Sequence, residues 1–133
     1  MTLACVRAHM LLMGFAIENL VKAVAASRGM VSLQPPNKKG ERKLDYGLPR
    51  TRAGHALTDA VGALGISLTS AEQDWLRRAE EYSSWAGRYP FPMNLSDYIN
   101  SQSKPLRSWK PSDPDVSSGL FDKLAQRVST SMP

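Results

Sequence analysis

A chain of 133 residues, 42% apolar and 22% charged, has the composition of one globular domain and is too hydrophobic to be intrinsically disordered. Seventeen Lys and Arg against twelve Asp and Glu give a net charge of +5 and a pI near 9.6, which favours an anionic partner such as RNA, DNA or an acidic protein surface. Cys5 is the single cysteine, so an internal disulfide and a cysteine-based zinc site are both excluded, and the cytoplasm is the expected compartment.

The first element is a helix over about 2–28. Met10, Met13, Gly14, Ile17, Leu20, Val21 and Val24 recur at helical spacing and form one stripe. Gly29 is its expected stop, with Arg28 complementing the dipole in the last turn. Gly14 costs roughly 1 kcal/mol relative to Ala in a helix, and a close helix crossing accounts for it. The run "MLLMGFAI" behind Arg7 has the length of a signal-peptide core, but the helical pattern continues through Asn19 and Lys22 and no small-residue cleavage site follows. It also falls short of the roughly 18–20 uninterrupted apolar residues that a membrane span needs. Glu18 and Lys22 form an i, i+4 pair on a narrow seam of this helix, which is apolar on so many sides that it calls for a partner subunit.

Residues 30–54 change character. Pro35, Pro36, Gly40, Gly47 and Pro49 break any period, and Lys38, Lys39, Arg42, Lys43, Arg50 and Arg52 face only Glu41 and Asp45, so a long basic loop is expected. A short helix follows over about 54–64, with Leu57, Ala60, Val61 and Leu64 inward and Gly65 as its stop. The next helix starts at "TSAE", where Thr69 and Glu72 have the spacing of a capping box. Trp75, Ala79, Tyr82 and Ala86 define its inner face, and its charges (Glu72, Asp74, Arg77, Arg78, Glu80, Glu81) read as a solvated, salt-bridged surface. Residues 91–112 are irregular. A last helix opens with Asp113 as N-cap and Pro114 at the first position, and carries Val116, Leu120, Phe121, Leu124 and Val128 on one face. No segment alternates as a strand does, so the predicted fold is an all-α bundle of four to five helices.

Glycine-rich phosphate loops, HExxH, GxSxG and dinucleotide fingerprints are absent from the sequence, and no metal or cofactor is called for. Of the two histidines, His9 sits among Ala8, Met10 and Leu11 and reads as structural. His55 follows Arg50 by five residues at the end of the basic loop. A guanidinium there can hold a phosphate while the imidazole moves a proton from a ribose 2′-hydroxyl, chemistry that needs no metal. In "WAGRYP", Arg88 either bonds the last carbonyls of the helix or stacks on Trp85 or Tyr89.

Three pieces in order, "GFAIENLVKA", "GHALTDAVGALGISLTSAE" and "WAGRYP", resemble the HEPN superfamily of small prokaryotic helical domains over roughly residues 10–92. The resemblance implies a bundle of about five helices, homodimerisation and, in many members, metal-independent ribonuclease activity in toxin-antitoxin or phage-defence systems. Active members carry an Arg followed by a His after four to six residues, a spacing that Arg50 and His55 satisfy. The expected function is therefore an RNA-linked module, either a ribonuclease with Arg50 and His55 at its site or a relative that has lost catalysis, with Lys38, Lys39, Arg42, Lys43, Arg52 and Arg88 contacting RNA. The rival is a non-catalytic interaction subunit whose basic loop binds a protein such as a nucleotidyltransferase-type antitoxin.

Overall fold

The computed structural model describes residues 3–49, 56–83 and 109–131. These residues are mostly helical: α1 spans Leu3–Ser27, α2 Leu57–Ala63, α3 Ser70–Glu81 and α4 Asp113–Ser131, with two short strands, β1 Ser32–Leu33 and β2 Leu44–Asp45, between α1 and α2. α1 packs most extensively on α4; α3 lies against both, and α2 closes onto α1 and α3. Met10, Ile17, Val21 and Val24 from α1 meet Leu57 and Val61, Trp75 and Leu76, and Leu120 and Leu124 in one core.

α1 ends as its sequence requires. Gly29 adopts φ 71°, the Gly29 amide donates to the Ala26 carbonyl and the Met30 amide to Ala25, the pair of bonds that defines a Schellman motif. Arg28 departs from expectation: its guanidinium donates to the Leu64 carbonyl, so it satisfies the end of α2 rather than of its own helix. Gly14 is buried at the crossing with α3, where an added Cβ would stand 2.7 Å from Ser83 Oγ and 3.7 Å from the Ala79 side chain. The close approach inferred from its presence in the apolar stripe is therefore real. By length and composition alone, Cys5–Ser27 (mean hydropathy 1.4) is long and apolar enough to cross a membrane, although Arg7, Glu18 and Lys22 interrupt its apolar run; a third of it is buried in the fold.

The interval expected to be a plain loop holds a hairpin. Ser32 pairs with Asp45 and Leu33 with Leu44 in antiparallel register, and the Gln34 amide continues the ladder to the Lys43 carbonyl at 2.8 Å. Two consecutive prolines, 35 and 36, donate no N–H and hide the strand from any test of alternation. Turn chemistry carries the fold here instead, through Asn37 and Gly40.

α2 begins at Leu57, later than read from sequence, with no side-chain cap from Ala56. Its first-turn amide at Thr58, which has no partner within the helix, donates instead to Glu80 Oε1 of α3 at 2.6 Å. On α3 the Thr69–Glu72 capping box forms as read: the Glu72 amide donates to Thr69 Oγ1 at 3.2 Å, and the Thr69 amide to Glu72 Oε1 at 3.3 Å. The rest of the α3 charges are not simply a solvated face. Arg78 is buried and makes a bidentate pair with Asp113 of α4 at 2.6 and 2.7 Å, with Asp74 at 3.0 Å, and Lys123 of α4 clasps Glu72 at 2.6 and 2.8 Å. Asp113, expected as an N-cap, gives its carboxylate to Arg78 and to the Lys110 amide at 2.9 Å. Phe121, expected inward, lies at the surface; the buried face of α4 runs Asp113, Ser117, Leu120, Leu124.

Candidate nucleic-acid interface

The hairpin tip is built by one side chain. Asn37 Oδ1 accepts from the amides of Lys39 (2.9 Å) and Glu41 (3.0 Å), while its carbonyl accepts from the Gly40 amide at 2.9 Å. Gly40, at φ 79°, supplies the left-handed residue that closes such a turn. Asn37 Nδ2 then ties down the Glu41 carboxylate at 3.1 Å.

The consequence is electrostatic. Lys38, Lys39, Arg42 and Lys43 are all exposed on this ordered tip, and the single acid among them, Glu41, is held by Asn37. Arg42 Nε donates to the Gln34 carbonyl at 3.2 Å, which anchors its side chain along the hairpin. Four of the residues expected to contact RNA are thus brought onto one projection. Arg50, Arg52, His55 and Arg88 lie outside the described residues.

At the base of the hairpin a cleft of about 270 Å³ opens between α1, β2 and α2. Leu44, Leu48 and Leu57 give it apolar walls, and Glu18, Lys22 and Tyr46 supply its polar groups. Lys22 Nζ donates to Glu18 Oε1 at 2.7 Å and lies 5.8 Å from the centroid of the Tyr46 ring, within cation–π range. Asp45 Oδ1 accepts from the Gly47 amide at 2.8 Å, and Gly47 turns the chain at φ 67° so that Tyr46 faces α1. Sequence reasoning missed this cleft. Its one signal was a charged pair in an otherwise apolar helix.

His9 is half-buried, and its Nε2 has no hydrogen-bond partner among the described residues. Among those residues no three His, Cys, Asp or Glu side chains converge as metal ligands. No family model, curated protein or solved structure matches this chain.

Proposed function

We propose that this chain is an RNA-binding helical module of the toxin-antitoxin or defence type, similar to HEPN domains and acting in the cytoplasm as a homodimer. The observation that carries the reading is the ordered hairpin tip with Lys38, Lys39, Arg42 and Lys43 exposed together. Cations held on a rigid projection release the counterions of a phosphate backbone without the entropy of ordering a free loop. Within the same reading Arg50 and His55 supply metal-independent cleavage, Arg50 holding the phosphate and His55 moving the 2′-hydroxyl proton.

The test is a salt titration of single-stranded RNA binding by fluorescence anisotropy. Replacing Lys38, Lys39, Arg42 and Lys43 by Gln weakens binding and lowers the log–log salt slope by roughly 0.7 for each cation that met a phosphate. RNA incubated in EDTA is cut by the parent protein and left intact by His55→Ala. Absence of RNA binding would overturn the reading and leave the hairpin's charge to an acidic protein partner such as a nucleotidyltransferase-type antitoxin.

The dimer has its own support. Leu12 is 66% exposed on the outward side of α1, in line with exposed Cys5 and Ala8. Light scattering gives a dimer for the parent chain and a monomer for Leu12→Glu, since a charge at an apolar helix contact is left desolvated. A parent chain that runs as a monomer removes the dimer from the proposal.

A further inference from the structure

The cleft under the hairpin is not a second anion site. Among the described residues that line it, Lys22 is the cation and Glu18, 2.7 Å away, the anion, so this lining is close to neutral and offers an acceptor beside a donor. A carboxylate has about four lone-pair positions and an ammonium three donors, so a ligand edge can bridge this pair without breaking it. Around the pair are an aromatic ring, Tyr46, and the apolar side chains of Leu44 and Leu57. At about 270 Å³ the cleft lies just below the roughly 300–1,000 Å³ of pockets that enclose a drug-sized ligand. That suits one planar ring. Lys43 directly precedes Leu44 at the cleft's rim, and the exposed cations continue from there to the hairpin tip.

A flat, polar-edged group joined to a negatively charged backbone matches both halves of this surface. We propose that the cleft receives one unpaired nucleobase of a single strand whose phosphates run along the basic hairpin, with Tyr46 as the stacking platform and Glu18 and Lys22 meeting the base edge. This deepens the RNA-binding reading and rests on it. Unstacked bases of single-stranded RNA are held in this way, on aromatic side chains with their edges hydrogen-bonded. The assignment gives the part-buried Glu18–Lys22 pair a purpose beyond the about 0.2–0.5 kcal/mol that an i, i+4 pair adds to a helix.

The test compares a short single-stranded RNA with inorganic polyphosphate of matched charge, using the full chain and competition anisotropy. The parent protein prefers RNA by about fivefold or more, as expected for one stacked base. Tyr46→Leu abolishes that preference while polyphosphate binding is kept, and Tyr46→Phe, which retains the ring, restores it. Glu18→Gln is the second variant and guards against misfolding of the first. It removes a negative charge, so polyphosphate binding holds or tightens while the preference for RNA falls. Equal binding of RNA and polyphosphate by the parent overturns the base pocket and leaves the basic interface standing. Binding of neither overturns both. Tyr46-dependent binding of uridine or adenosine monophosphate, with RNA affinity indifferent to Tyr46→Leu, overturns the strand assignment in favour of a free nucleotide.

Discussion

Asp113→Asn lowers the unfolding free energy by about 3 kcal/mol, the lower end of the range for breaking a buried ion pair. The Arg78 side chain is 3% exposed and that of Asp113 1%, and the two share a bidentate contact between α3 and α4. Removing the carboxylate's charge takes the bidentate partner from a buried guanidinium, and Asp74 at 3.0 Å offsets part of the loss. The loss is set by the unpaired partner, so replacing both residues, as Arg78→Met with Asp113→Leu, costs much less than the sum of the single changes. Urea denaturation of the parent, Arg78→Met, Asp113→Leu and the double variant closes the cycle, with Asp113→Asn measured beside them. A cost below about 1 kcal/mol for Asp113→Asn would show that water reaches the pair.

The same pair sets an acid limit. Burial pushes the Asp113 carboxyl up, but the Arg78 guanidinium, the Lys110 amide and nearby positive charge outweigh it and hold its pKa below the ordinary value. Glu72 behaves alike: burial raises it, and the Lys123 ammonium with the Thr69 cap lowers it further than that. Both folded values lie below their unfolded ones, so their stabilisation is complete above the unfolded carboxylate range near about pH 4. It is lost as pH falls through the folded values. Glu80 acts in the opposite sense, because burial raises its pKa above the ordinary value despite the Thr58 amide bond. Its ionised form is penalised in the fold, a penalty relieved by acid. With two groups lowered and one raised, stability declines below about pH 4, and Asp113→Asn makes that decline shallower. Denaturation midpoints between pH 2 and 7 measure it.

Trp75→Ala removes about 3–5 kcal/mol, a large share of the roughly 5–15 kcal/mol that holds a domain of this size together. Trp75 is wholly buried, the largest such side chain among the described residues, in the core that α1, α2 and α4 share with α3. Truncation leaves a cavity in a region bounded by packed helices that cannot collapse into it. Trp75→Phe is much milder, because the indole Nε1 is buried with no hydrogen-bond partner among the described residues. Deleting that N–H removes a desolvated donor along with some volume, so the transfer loss is partly offset. Chemical denaturation with an unchanged m-value separates the two variants cleanly. Equal costs for Phe and Ala would show that the indole N–H is satisfied.

Features encoded by neighbours in sequence were legible. The Thr69–Glu72 capping box, the Gly29 and Gly65 stops at φ 71° and 70°, and the α3 face of Trp75, Ala79 and Tyr82 all follow from spacings within a single helix and its ends. Local backbone chemistry determines these regardless of what packs nearby. The hairpin was hidden for a different reason. Its pairing is only two residues long on each side, too short for alternation to register, and prolines 35 and 36 mimic a breaker. The Asn37 and Gly40 turn positions were its only signal.

The candidate site was half legible. Lys38, Lys39, Arg42 and Lys43 could be picked out by charge, because charge density is a property of composition. That these four share one ordered tip depends on Asn37, and the cleft depends on Tyr46 reaching Lys22 across α1.

What the sequence by itself determined is the helical class, the Gly29 stop of α1, the capped start of α3, and the basic character of the segment after α1. Those properties are written in contacts of five residues or fewer and in composition. Only the tertiary structure decided where the charges of α3 and α4 go. Asp113 is an adequate N-cap by type and position, yet 35 residues away Arg78 presents a buried guanidinium that needs it more. Arg28 and Glu80 likewise serve helix ends that are not their own, Arg28 the Leu64 carbonyl and Glu80 the Thr58 amide. A buried charge or an orphaned backbone group takes the partner that packing brings within reach, and packing is a property of the assembled helices.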